Sequence, residues 1–364
     1  MQAVKNIFIN IKQNPLYIAI SIGVVLIIIF VVLLSNKDTF VGPDYSEFAL
    51  EIGLARDEGS ISFAGINGDD PERKGLEYKL IMYSDQKKLV KDVAKGNINI
   101  ASVSSTVAAK YYAKDPSFKV VTLSSLNPYT LYFNNSMGKE VPSESGDDKS
   151  YMLDFENLQG AKICSNGKGE EEQYVLDSLK TKLGKDFDVD YIKSPLKCIS
   201  KLENGEVKFA LLKDIFGAHF GQNDDISAQG ISSTGIIVPE DVVIVNTEWL
   251  NTNQALFQDF IKVYSQKIDN YSNELIYAYN MINIEFEYEV ITGQHYIKPV
   301  ETKNTLQEFY NDLIENKSKL IGDTAPDDDF YYYFDSDKIT KPNAKSSQTD
   351  INQYLIDKYG YLPE

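Results

Sequence analysis

The chain has 364 residues, 43% hydrophobic and 12% aromatic, so it is long enough for two lobes and apolar enough to bury a core, which excludes a disordered or collagen-like chain. Its 53 acidic residues outnumber 36 basic ones, and a net charge of −17 repels a phosphate backbone, so no nucleic acid is expected as a partner. Two cysteines and two histidines, none clustered, leave no zinc motif, no disulfide framework and no expected cofactor or metal.

Residues 16–34, LYIAISIGVVLIIIFVVLL, carry no charge, and as a helix they would reach about 28 Å, the thickness of a bilayer core. The run ends in Ser35-Asn36-Lys37 with no small-x-small cleavage site and no cysteine to accept a lipid. Residues 1–37 are therefore expected to be a short cytoplasmic N-terminus and an uncleaved transmembrane helix held in the lipid bilayer through residues 16–34, with a cleaved signal peptide as the alternative. Lys5 and Lys12 are the only charges before the span, so the positive-inside rule places the acidic remainder outside a single-pass cell-membrane protein.

The alternation of Phe48 to Leu54 predicts a strand running into a polar loop, Ala55 to Ser60. Gly75 to Met82 predicts a second strand, Leu89 to Lys95 a helix stopped by Gly96, and Ile98 to Val103 a third strand. Ser104, Ser105 and Thr106 then open a helix with hydroxyls suited to an N-cap. Two more strands are expected at 118–123 and 130–133. Strands alternating with helices at this spacing imply βαβ units and a parallel sheet. The polar stretch 138–150 reads as an exposed connection. A second series follows: strand 161–164, glycine-rich turn 165–169, helix 170–183, strand 187–192, helix 196–202 closed by Asn204-Gly205, and strand 207–212. The unit at Val90 to Ile100 recurs at Ile199 to Leu211, which implies two similar lobes.

Three stretches together resemble the extracytoplasmic solute-binding family shared by nitrate, sulfonate, taurine and thiamine-pyrimidine-precursor carriers. They are Ile61-Ser62-Phe63-Ala64-Gly65 followed by Lys74-Gly75-Leu76-Glu77-Tyr78; Leu89 to Ala101, with Asn99 where the family usually has Asp; and the series Leu158-Gln159-Gly160, Leu202-Glu203-Asn204-Gly205-Glu206-Val207 and Val243 to Leu250. The resemblance covers about residues 45–275. It implies an α/β, two-lobed, type 2 periplasmic-binding-protein-like fold, with lobe 1 expected at 45–135 and 240–325 and lobe 2 at 155–239. It further implies no enzyme activity and capture of a small polar solute (a sulfonate, nitrogen oxyanion or thiamine-pyrimidine-like molecule) for an ABC-type permease by hinge closure. A solitary sensor with the same fold is the alternative. A pyrimidine-precursor synthase is a weaker one, because its cysteine-rich motif is missing. The acidic, aromatic composition of residues 326–364 reads as an extension docking on a lobe, and the acidic charge of the outer chain predicts a monomer.

In open α/β sheets ligands bind beyond the carboxyl ends of the strands, which collects the candidate ligand-binding residues. In the turn Ser165, Asn166, Gly167, Lys168 and Gly169, backbone N–H groups and the lysine suit an anionic group; an ordinary strand-to-helix turn is the plain alternative. Ser104, Ser105 and Thr106 either cap a helix or touch the ligand. Arg56 and Ser60 lie in the first loop, where Arg56 suits a carboxylate or sulfonate. Phe63, Tyr129 and Phe216 suit stacking on a ring or burial in a core. Asp57 and Asp214 suit a cationic or hydrogen-bonding solute or stand as solvated loop charges. His219 and His295, far apart in sequence, are not expected to catalyse. Cys164 and Cys198 are expected to be buried free thiols, with a disulfide geometrically conceivable. The run Asp327 to Asp337 lacks the calcium-loop glycine and reads as a segment packing on a lobe.

Overall fold

We describe a computed structural model of the chain over residues 50–55, 58–67, 78–142, 150–214, 216, 220, 223–267, 299–316 and 318–332, all within the unit Ser46–Glu364. The expected span at 16–34 lies outside the described residues, as do Arg56, Asp57, His219 and His295. Among the described residues no helix is long and apolar enough to cross a membrane.

The chain runs β1 (Leu50–Ala55), a 3-10 segment (Glu58–Asn67), β2 (Tyr78–Tyr83), α1 (Gln86–Ala94), β3 (Ile100–Ser104), α2 (Ser105–Tyr112) and β4 (Phe118–Leu126). It continues through β5 (Tyr129–Asn134), β6 (Gly138–Val141), β7 (Ser150–Leu153), β8 (Lys162–Ser165), α3 (Glu171–Leu183), β9 (Asp188–Tyr191), α4 (Pro195–Glu203), β10 (Phe209–Lys213) and β11 (Ile226–Gly230). Last come β12 (Pro239–Asn246), α5 (Thr247–Thr252), α6 (Gln254–Lys267) and α7 (Pro299–Glu315).

Two five-stranded sheets result. The first has the order β2-β1-β3-β12-β4, and the second, read from its far edge, β9-β8-β10-β5-β11. In the first, β2, β1 and β3 are parallel and β12 runs antiparallel between β3 and β4. In the second, β9, β8 and β10 are parallel and β5 runs antiparallel between β10 and β11. The sheets match position for position. The repeated unit read from sequence fills equivalent places, β2-α1-β3 and β9-α4-β10, and each helix is followed by a glycine at positive φ, Gly96 at 75° and Gly205 at 71°.

The expectation of a parallel sheet is corrected: both sheets are mixed. The antiparallel strand of each is the one by which the chain passes between the sheets, and β12 joins its sheet from more than a hundred residues downstream of β4, a partner that local alternation does not reveal. The strand read at 130–133 is β5, which belongs to the second sheet. Residues 138–150, read as an exposed connection, begin and end in the paired strands β6 and β7. Their half-exposed, charged sequence carries no strand signal, and Lys139 pairs with Asp154 at 2.9 Å beside them.

Each sheet is covered on both faces. Phe63, Phe257, Phe260 and Tyr264 bury one face of the first sheet. A continuous core, including Val103, Leu123, Leu131, Ile163, Leu176, Leu211, Leu306 and Leu313, joins the other face to the second sheet. The outer edge of β4 is covered by the C-terminal segment. Phe330 is fully buried against Tyr112 and Phe118, and Tyr332 N donates to Val120 O at 2.8 Å. Covering that edge removes a template for strand addition.

The reading of two free thiols is also corrected. Cys164 on β8 and Cys198 on α4 form a disulfide, their Cα atoms 5.6 Å apart. Helix α4 packs on the face of the second sheet that carries Cys164, within bridging reach. For a separation of 34 residues, chain entropy gives the bridge about 3–4 kcal/mol of stabilisation. Reduction, or paired Cys164→Ala and Cys198→Ala, is expected to lower the unfolding free energy by that amount and the denaturant midpoint with it; an unchanged midpoint under reductant would rule the bridge out.

Candidate functional site

The strand ends expected to line the cleft meet, and the protein's own side chains fill the space between them. Ser104, which opens α2, makes no side-chain cap bond. Its hydroxyl instead donates to Glu171 Oε1 of α3 at 3.0 Å, Thr106 Oγ1 donates to the same oxygen, and the two hydroxyls lie 2.9 Å apart. A carboxylate of one half of the molecule is thus held by two hydroxyls of the other. Ser105 points elsewhere, donating to Pro239 O at 2.6 Å and accepting at its carbonyl from Tyr310.

Beside this contact, Lys213 Nζ at the end of β10 lies 2.6 Å from Glu240 Oε1 of β12, and Tyr129 donates to Glu240 Oε2 at 3.0 Å. Burial pushes the Glu240 carboxyl up, opposed by Lys213. Burial, reinforced by Glu240, holds the Tyr129 hydroxyl well above its usual range. Glu172 is 3% exposed, and burial pushes its carboxyl up to about 7 against the pull of Lys213. Its side chain lies in the Ser165–Gly169 turn: a Cβ on Gly167 would come within 2.0 Å of Glu172 Oε2. The glycine there makes room for the protein's own carboxylate.

The remaining predicted residues scatter. Lys168 is exposed and its Nζ lies 6.0 Å from the Tyr191 ring centroid; Gly169 N donates to Gln173 at 2.9 Å. Among the described residues Ser165 Oγ and Asn166 Oδ1 are buried without a hydrogen-bond partner. Ser60 is fully buried and donates to Ala55 O. Phe63 is core, 4.8 Å from the Tyr264 ring. Asp214 accepts from Thr130 at 2.5 Å, and desolvation pushes its carboxyl up to about 7. Phe216 is half-buried and packs on the disulfide core.

Open space lies next to these strand ends, in a groove of about 940 Å³ between α3 and α7, floored by Gly235, Ile236 and Ile237. One wall belongs to the second sheet. The other is carried by the first, where Thr302 of α7 accepts from Leu123 N at 2.9 Å. The floor is the chain's return path to the first sheet. Tyr174 and Phe309 meet edge to face across the groove, 5.2 Å between centroids, and the Tyr174 hydroxyl donates to Asp312. Thr305 Oγ1 is buried in the lining with no partner among the described residues.

Sequence reasoning missed Glu171, Glu172, Lys213 and Glu240, and every groove residue except Gly169. The acidic pair reads as an ordinary favourable first turn of a helix. Two signals for the groove were present: Tyr174 and Asp177 on α3, and Phe309 and Asp312 on α7, each an aromatic three residues before an aspartate and hence on one helix face. Among the described residues no group of three His, Cys, Asp or Glu is placed to hold a metal ion.

No protein-family model and no curated protein matches the chain. Solved structures share its fold. An ABC transporter protein from Parabacteroides distasonis superposes with a TM-score of 0.62 at 14% identity, over 79% of this chain and 99% of the other. The periplasmic aliphatic sulphonate binding protein SsuA from Escherichia coli gives 0.56 at 12%, over 76% and 96%. The ligand binding component of an ABC-type import system from Staphylococcus aureus, solved with zinc bound, gives 0.52 at 14%, over 81% and 99%. The fold is that of the periplasmic binding proteins, as the sequence resemblance implied.

A carboxyl whose pKa is raised on folding binds its proton more tightly in the folded state, so stability falls as pH rises from its unfolded to its folded value. For Glu172 that window runs from 4.5 to about 7. Glu172→Gln is expected to stabilise the chain above the window, by on the order of 2–3 kcal/mol, and to change little below it. Asp214 and Glu240 are raised by burial as well, so denaturant titrations of parent and variant on both sides of the window check this; a difference between parent and variant that is the same at both pH values would refute it.

Proposed function

We propose that the chain is a membrane-anchored, extracytoplasmic solute-binding protein that captures a small polar molecule by lobe closure and hands it to an ABC-type permease. The observation that carries this reading is the groove whose two walls belong to different sheets and whose floor is the crossing between them. A molecule touching both walls favours the closed arrangement because it makes both sets of contacts only there. No covalent step is needed, and the protein acts by binding alone.

Three further points support it. The neighbours in fold carry ABC-import and periplasmic-binding descriptions. The disulfide suits an oxidising compartment. The uncharged run at 16–34, preceded by Lys5 and Lys12, suits a single-pass anchor with the N-terminus in the cytoplasm. The lobes are built on the two sheets, lobe 1 receiving β12 and lobe 2 receiving β5, and the acidic surface favours a monomer. Sulfonates, nitrogen oxyanions and thiamine-pyrimidine-like rings are the solute classes that the resemblance offers.

The chain is expected to fractionate with membranes and to become soluble and monomeric when residues 1–36 are removed; a membrane-bound remainder would overturn the anchor. Native mass spectrometry of that soluble form is expected to reveal a non-covalent small molecule. Restoring it to the stripped protein at a hundredfold excess over Kd is expected to add about 2.7 kcal/mol of stability and to shrink the radius of gyration. Absence of any bound molecule, with no melting shift across a broad polar-solute panel, would defeat the reading.

A further inference from the structure

The groove between α3 and α7 has a definite chemical character. Four carboxylates line it, Glu170, Asp177, Glu308 and Asp312, against two lysines, and one of those, Lys182, is tied by its Nζ to Gly235 O at 2.7 Å. The Asp312 carboxylate sits where the Tyr174 hydroxyl meets it, and burial and Asp312 together hold that hydroxyl protonated. Tyr174 and Phe309 offer an aromatic corner beside these charges. Thr305, 3% exposed, stands in the same lining, its Oγ1 buried and without a partner among the described residues. Its volume of about 940 Å³ falls within the range that holds a small organic molecule.

We propose that this groove is the solute site and that its solute is an organic cation carrying an alkylammonium or amidinium group. The claim rests on the solute-binding reading above and departs from the sulfonate and nitrogen-oxyanion classes that the resemblance offers. Ionised carboxylates accept hydrogen bonds and donate none, so the lining demands a donor or a positive charge. An aromatic corner attracts the same charge through its ring faces. A sulfonate or nitrogen oxyanion entering here would face the carboxylates of Glu170, Asp177 and Asp312 with one lysine already committed to a carbonyl. The chain's excess of acidic residues draws cations toward the groove and repels anions over longer range. The absence of a three-residue metal cluster among the described residues favours an organic cation over a metal ion.

The test uses the full-length chain and three probes of one shape: choline, its neutral isostere 3,3-dimethylbutan-1-ol, and isethionate, in which a sulfonate replaces the ammonium. Benzamidine and agmatine widen the cation arm. At least one cation is expected to bind by calorimetry and raise Tm, with affinity falling as salt rises, while the isostere and isethionate stay silent. Asp312 accepts from Tyr174 on one oxygen and from Asn316 Nδ2 on the other, at 3.0 Å; Asp312→Asn keeps an acceptor for one of them and removes the charge, so it is expected to weaken that cation at least about tenfold in a protein whose melting curve shows it folded. Tyr174→Leu is expected to weaken it comparably. Isethionate binding with compaction of the chain would overturn the cation claim and leave solute binding standing. Silence from every cation, binding equal to that of the neutral isostere, or full affinity in a folded Asp312→Asn protein would each overturn the claim as well.

Discussion

Where the chain first passes from one sheet to the other, Asn127 adopts a left-handed backbone, φ 50°, a conformation asparagine tolerates better than most side chains. It is tied at once to the return passage: Asn127 N donates to Val238 O at 2.8 Å, and its side-chain oxygen accepts from Val238 N at 2.5 Å. The two crossings therefore lie side by side. Their adjacency lets β12 enter the first sheet and β5 the second as antiparallel strands, and so sets the order of both sheets. It also places Gly235 to Ile237 as the floor on which the groove is built.

Around that crossing, hydrogen bonds to charged groups hold the halves together. A hydroxyl donating to a carboxylate contributes about 1.5–3 kcal/mol. Ser104 and Thr106 both donate to Glu171, and Ser104 makes no side-chain cap bond to α2. Glu240 follows the same logic at greater depth: a buried carboxylate is tolerable only with a charge partner and further donors, which Lys213 and Tyr129 supply. Replacing any of the three by an apolar residue would leave the others in a medium that does not solvate them.

Legibility from sequence divides along the line between local and distant partners. The helices at Gln86–Ala94, Glu171–Leu183 and Pro195–Glu203 and the parallel strands between them were readable because their periods and glycine stops are set by neighbours within a few residues. The mixed character of the sheets was not, since β5 reads as an ordinary strand whose direction only the crossing determines, and the strand at β12 was not read at all. The same limit governs the site. Ser104, Thr106, Tyr129 and the Ser165–Gly169 turn were found because they end strands or open helices. Glu240 and Thr305 become neighbours of these only through contacts spanning more than a hundred residues, as in the pairing of Tyr129 with Glu240. The disulfide was misjudged for a related reason: two cysteines thirty-four residues apart are indistinguishable from two core thiols until α4 is placed on the face of β8.

The contacts between the halves gather at the crossing. Lys213 pairs with Tyr129 in the β10–β5 register, and the next residue, Asp214, donates its N–H to Pro128 O at 2.7 Å, so the Lys213–Glu240 pair adjoins the crossing itself. Ser104 stands opposite Asp241 in the β3–β12 register and Ser105 donates to Pro239 O, so the hydroxyls that hold Glu171 lie beside the same crossing. The two contacts differ in what parting them costs. A carboxylate and two hydroxyls are groups that water solvates well once it reaches them, whereas Glu240, 3% exposed, depends on Lys213 and Tyr129 for its charge and hydrogen-bond partners. Of the two, the Glu171 contact is therefore the one that a two-lobed binding protein can exchange as it opens, and the Glu240 cluster the one it keeps.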